Sequence, residues 1–188
     1  MHFFVLFAFN TSTFMMSLVS DVYINDSIAF LREQIPRHSG PKYIVVHYPV
    51  YSAGEFGSHP LLTRQIEQIL HEFEESEILG VICGHDHVFS AFRRKNVLVA
   101  VAASGGGTLD STDHLPLGRS WPSGAHELHG PLDKIGDVDR CLGYELHLDS
   151  FRKFTRTEVK LDLEKRVAKY VVRDLETWSV LAEYVFDF

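Results

Sequence analysis

The sequence predicts an α/β fold with a mainly parallel sheet at its start and antiparallel strands at its end. Three observations predict it. Short apolar runs rich in β-branched and aromatic residues alternate with helical patterns through the first part of the chain, an order that builds βαβ units. Two of those runs, Tyr43-Ile44-Val45-Val46 and Ile78 to Cys83, each deliver histidine at their carboxyl end. From Cys141 onward only strand-like runs occur, separated by short charged turns.

The elements follow in order. Met1 to Phe9 reads MHFFVLFAF. No Lys or Arg precedes this run and no small-x-small cleavage pattern follows it, so it reads as a buried strand, Phe3 to Phe9, rather than a signal peptide. Asn10 to Val22 is polar and irregular. A helix is expected from Asn25 or Asp26, either of which can cap it, with Ile28, Leu31 and Ile35 at helical spacing and Pro36 as its stop. Ser39-Gly40-Pro41 makes the turn into the strand Tyr43 to Val46. Tyr48 to His59 is a loop, and Pro60 suits the first turn of the next helix. There Leu61, Leu62, Ile66, Ile69, Leu70 and Phe73 form an apolar face opposite Arg64, Gln65, Gln68, Glu72 and Glu75. The strand Ile78 to Cys83 follows, then two more, Phe89 to Phe92 and Val97 to Ala102. A long polar segment from Ser104-Gly105-Gly106-Gly107 to about Arg140 holds Asp110, Asp113, His114, His126, His129, Asp133, Asp137 and Asp139. A segment of that length is functional or mobile. Leu142 to Leu148, Phe154 to Leu161, Arg166 to Arg173 and Trp178 to Phe186 are the terminal strands, expected as antiparallel hairpins.

The chain has 188 residues, enough for one domain with a core of its own. Its 45% hydrophobic and 23% charged residues are those of an ordinary globular protein. A net charge of −7 argues against nucleic acid or an anionic membrane as the main partner. No stretch is long and apolar enough to span a membrane. Asn10-Thr11-Ser12 and Asn25-Asp26-Ser27 match the glycosylation pattern, which has meaning only in a secreted chain. Cys83 closes an apolar strand and reads as a small buried hydrophobe. A bridge from Cys83 to Cys141 stays open, and with it the redox compartment.

Gly84-His85-Asp86-His87, directly after an apolar strand, carries the most chemistry. In extended backbone, residues two apart share a side, so His85 and His87 can face one cavity while Asp86 points away. Gly84 lets the backbone turn or approach another group closely. His47 ends a neighbouring strand and can enter the same cavity, at the carboxyl edge where open α/β sheets gather their sites. Three imidazoles aimed from strand ends read as metal ligands, and on spacing alone they suit a single three-histidine zinc site. His126-Glu127-Leu128-His129 is not H-E-x-x-H, since its histidines are three apart, and it lies in a loop.

The run YIVVHYPVYSAGEFG, the helix after it, and GVICGHDH resemble the C-terminal half of the calcineurin-like metallophosphoesterases. Among these they are most similar to the small purple (tartrate-resistant) acid phosphatases, and Ser104-Gly105-Gly106-Gly107 matches a glycine-rich turn of that family. The resemblance covers essentially the whole chain. It implies a four-layer α/β/β/α sandwich, of which residues 1–188 would be a single partial domain. It implies a dinuclear centre of iron with iron, zinc or manganese, with His47 and His85 on one ion and His87 on the other. Tyr48 and Asp86 would support these ligands from behind. The reaction implied is hydrolysis of a phosphomonoester by a metal-activated water, on a phosphorylated small molecule or a phosphoprotein. Many members are secreted or lysosomal.

This chain departs from the pattern. The family's D-x-H, G-D-x-x-D and G-N-H motifs do not occur in it, and the bridging carboxylate they supply has no counterpart. The expectation is therefore a truncated form with low or no activity alone, which exposes apolar surface where strands of its missing N-terminal half would pack. In the substrate loop the family carries histidine where Phe56 stands. His59 either contacts the phosphate or protonates the leaving group, or is a loop histidine at the helix start. A non-catalytic scaffold or anchoring module is the rival reading, and a mononuclear zinc protein a third.

Overall fold

The computed structural model describes residues 1–6, 16–52, 60–74, 76–102, 104, 108–109 and 146–188. The chain opens with β1 (His2–Leu6), α1 (Met16–Gln34), β2 (Lys42–Val46), α2 (Pro60–Glu72) and β3 (Ile78–Cys83). It continues with β4 (Phe89–Arg94), β5 (Val97–Ala102), β6 (Leu146–Phe151), β7 (Thr155–Asp162), β8 (Val167–Asp174) and β9 (Val180–Asp187).

Two sheets form. The larger has the order β1-β2-β3-β5-β4-β6, and the smaller is β7-β8-β9. β1, β2, β3 and β5 run parallel, while β4 and β6 are antiparallel additions at one side. The expected parallel start is thus present. The terminal strands do not all pair as consecutive hairpins. β6 joins the larger sheet beside β4, and only β7, β8 and β9 form an antiparallel meander.

The two helices cover one face of the larger sheet. Ile24, Ile28, Leu31 and Ile35 meet Leu62, Ile66, Ile69 and Leu70 over Phe4, Ile44, Val81, Val99 and Val101. Each such buried side chain stabilises the fold by about 1.5–3 kcal/mol. The meander covers the other face, where Tyr170, Val172 and Phe186 pack on Tyr43, Leu79, Phe89 and Leu98. Two tyrosine hydroxyls there are matched: those of Tyr43 and Tyr170 lie 3.1 Å apart, and Tyr170 donates to Leu79 O at 2.9 Å. The described residues thus form three layers: helices, sheet and sheet. The described residues do not include a second helical layer such as the expected α/β/β/α sandwich has. None of the described helices is long and apolar enough to cross a membrane.

Two boundaries differ from the sequence expectation. α1 begins at Met16, so much of the segment read as irregular is helical, and Asn25 and Asp26 sit inside the helix rather than at its cap. The apolar stripe decides this. Ile24, one turn before Ile28, is fully buried, whereas Asn25 and Asp26 face solvent, where a polar residue costs the helix little. The second concerns the strand expected from Phe3 to Phe9, which is described only as His2–Leu6.

β1 is the outer strand of its sheet. Phe4 and Leu6 are buried under α1, but Phe3 is 58% and Val5 51% exposed on the opposite face. Phe3 stacks on Tyr43, with ring centroids 5.5 Å apart.

Candidate metal and phosphate site

Parallel pairing sets the exits of β2 and β3 side by side, because Val46 is in register with Cys83. His47 leaves one strand and Gly84 the other, and Gly84 N–H donates to His47 O at 2.9 Å. The chain then reverses. Asp86 N–H donates back to Gly84 O at 3.0 Å, across His85, whose φ is 72°. A bond that spans three residues with positive φ at the centre is the rarer, strained form of γ-turn. For a side chain other than glycine it stores about 1–3 kcal/mol. Residues 84–87 are therefore a bend, not the extended segment that simple alternation assumes.

The bend sorts the side chains into three environments. His85 Nδ1 lies 3.2 Å from His47 Nε2, with the two rings edge to face and their centroids 5.2 Å apart. The Tyr48 ring closes on both, 4.8 Å from His85 and 5.4 Å from His47. His87 points elsewhere, and its Nδ1–H donates to Thr108 O at 2.9 Å. That bond puts the His87 proton on Nδ1 and the lone pair on Nε2. Asp86 is fully buried and accepts a hydrogen bond from the Ser52 hydroxyl. Ser52 lies on the loop that leaves His47.

The same loop is tied down twice more. Val50 N–H donates to Cys83 Sγ at 3.4 Å, and Thr63 Oγ1 donates to Val50 O at 2.5 Å. Cys83 is a free, buried thiol, and burial pushes its pKa up to about 12. It is packing material, not a nucleophile. Burial lowers the pKa of His47 below its ordinary value, and repulsion from His85 and His87 lowers it further. The shift favours the neutral imidazole, the form that donates a lone pair to a metal. A shallow apolar depression of about 300 Å³, lined by Val5, Val45, Ile82 and Cys83, adjoins His47.

The fit to a metal differs for one ion and for two. Two imidazole nitrogens that share a tetrahedral zinc, each ~2.0–2.1 Å from it, stand roughly 3.3 Å apart. The 3.2 Å between His47 and His85 matches that spacing. Among the described residues, however, no group of three or more His, Cys, Asp or Glu side chains is arranged to hold an ion. Asp86 is engaged with Ser52 behind the site, and no described carboxylate joins His47, His85 and His87. The described residues therefore fit a two-histidine seat for one ion and do not complete a dinuclear centre. His59, Cys141, Gly105 to Gly107, His114, His126 and His129 lie outside the described residues. Ser52 and Thr108, which hold Asp86 and His87, were not legible in the sequence, where neither sits in a motif.

No known family model matches the chain. It is 31% identical over 98 residues to tartrate-resistant acid phosphatase type 5 of Oryctolagus cuniculus, a match that covers 50% of this chain and 28% of that protein. With the enzyme of the same name from Sus scrofa it is 30% identical over 113 residues, which cover 58% of this chain and 31% of that protein. The matched stretch thus spans less than a third of either curated relative. Among solved structures, GAP50, the anchor in the inner membrane complex of Plasmodium, superposes with a TM-score of 0.58 at 12% identity, over 95% of this chain and 46% of that one. That likeness is one of fold. The two sequence matches support a purple acid phosphatase-like relationship.

Proposed function

We propose that this chain carries the histidine wall of an acid-phosphatase-like phosphoesterase site and has low or no activity alone. One observation supports the reading above the others: His47 and His85, from adjacent parallel strand ends, stand at the spacing of two ligands of one ion. His47 Nε2 and His85 Nδ1 would hold that ion, and His87, anchored on Thr108, would serve a second ion whose remaining ligands come from elsewhere. Bound metal would supply a polarised phosphoryl oxygen and an activated water. The residues of this chain would orient the ligands and favour the neutral form of His47. A phosphomonoester, on a small molecule or a protein, is the substrate class. The exposed flank of β1 is where a further segment would add to the sheet.

The expected outcome is measurable. Zinc titrated into the purified chain saturates at one equivalent or less, His85→Ala abolishes the uptake, and an aryl phosphate is hydrolysed near the background rate. Uptake of two equivalents, or robust metal-dependent turnover, would refute the reading.

A non-catalytic anchoring role is the second reading. Phe56, where the family carries histidine, favours it, and an anchor protein shares the fold. Coding sequence upstream of Met1 that specifies D-x-H, G-D-x-x-D and G-N-H in frame would exclude it.

A further inference from the structure

The backbone at His85 is strained, and a strained turn persists only where its surroundings over-determine it. Two groups flank the apex. Before it, Gly84 N–H is bonded to His47 O. After it, Asp86 is buried with its carboxylate on the Ser52 hydroxyl, and Ser52 is itself buried on the loop that leaves His47. The exit of β2 and the exit of β3 are therefore joined on both sides of His85. Burial of a carboxylate is unfavourable unless hydrogen bonds compensate it, so Asp86 is held to donors such as Ser52.

We propose that the Ser52–Asp86 hydrogen bond is the clamp that holds the chain in its γ-turn and so aims His85 Nδ1 at His47 Nε2. Ser52 and Asp86 are positioning residues. They act through the backbone of residues 84–86 and do not ligate. Without the clamp, the strain at His85 is relieved by rotation of φ to negative values. That rotation carries the imidazole away from His47. The proposal deepens the metal reading above and rests on it only for the purpose of the pair, not for the pair itself.

The test separates the two. Asp86 is fully buried, so D86A would confound loss of the clamp with loss of the fold; S52A removes the Ser52 hydroxyl and leaves the carboxylate in place. Nuclear Overhauser contacts between the His47 and His85 rings, and the nitrogen-15 shifts that report the His85 tautomer, are measured on the metal-free full chain. S52A is expected to lose the ring contact and to average the two tautomers, with the contacts of Ile66 and Val81 in the core unchanged. D86N, whose amide oxygen still accepts from Ser52, is expected to keep the wild-type pattern. Zinc binding by S52A is expected to be at least tenfold weaker than wild type. An S52A protein with the ring contact intact overturns the clamp. A wild-type protein that has the contact, loses it in S52A and takes up no zinc refutes the metal reading and supports the clamp.

Discussion

His47 links acidity to stability. Burial, with the two neighbouring histidines, holds its pKa below the ordinary 6.5, so the unfolded chain takes up this proton more readily than the folded one. Where the unfolded state binds more protons, stability rises with pH. The contribution of His47 is therefore present above about pH 6.5 and is lost as pH falls toward its lowered folded value. Urea unfolding at stepped pH is expected to show wild type weakening as pH falls through about 6.5, with a flatter profile for H47Q. Parallel profiles for the two proteins would refute the assignment. Acid also sets a proton against a metal for the same lone pair, so zinc uptake should fall as pH falls.

At the scale of elements, the strand–helix–strand order and the histidine exits were legible because hydrophobic periodicity and strand-end position are local properties. The start of α1 was not. A strong capping signal at Asn25 and Asp26 lost to one buried residue, Ile24, whose burial depends on β1 and β2. The turn at His85 was hidden for a similar reason. It needs Ser52, which is remote in sequence and in no motif, and without it the simplest assumption is extended backbone. The partner of β6 was equally invisible, since strand propensity does not say which sheet a strand joins. Gly80 in β3 illustrates how closely the elements meet. A Cβ there would lie 2.9 Å from Tyr43 Cε1 and 3.3 Å from Leu98 O. The Tyr43 ring is buried, stacked on Phe3 and bonded to Tyr170, so it cannot swing aside without breaking those contacts. Gly80→Ala should destabilise the protein by about 1–3 kcal/mol, read as a lower urea midpoint. An unchanged midpoint would show that the sheets separate more easily than their packing implies.

At the scale of the whole molecule, two apolar clusters sandwich one sheet, and the site sits at the edge where that sheet's parallel strands end. That sheet does not finish in a covered strand. β1 shows Phe3 and Val5 to solvent, and the run from His2 to Phe9 has no charged side chain apart from histidine and no proline. Proteins commonly guard such borders with lysine, proline or a bulge. Among the described residues nothing covers this border, which makes it a template for cross-β growth between copies. Solutions of the chain should therefore turn turbid with concentration and time, and seeds of aggregated material should shorten the lag. Val5→Lys should lengthen that lag and leave the histidine pair untouched; equal lag times for the two proteins would point to a nucleus elsewhere. The strand that frames the site is thus also a colloidal hazard.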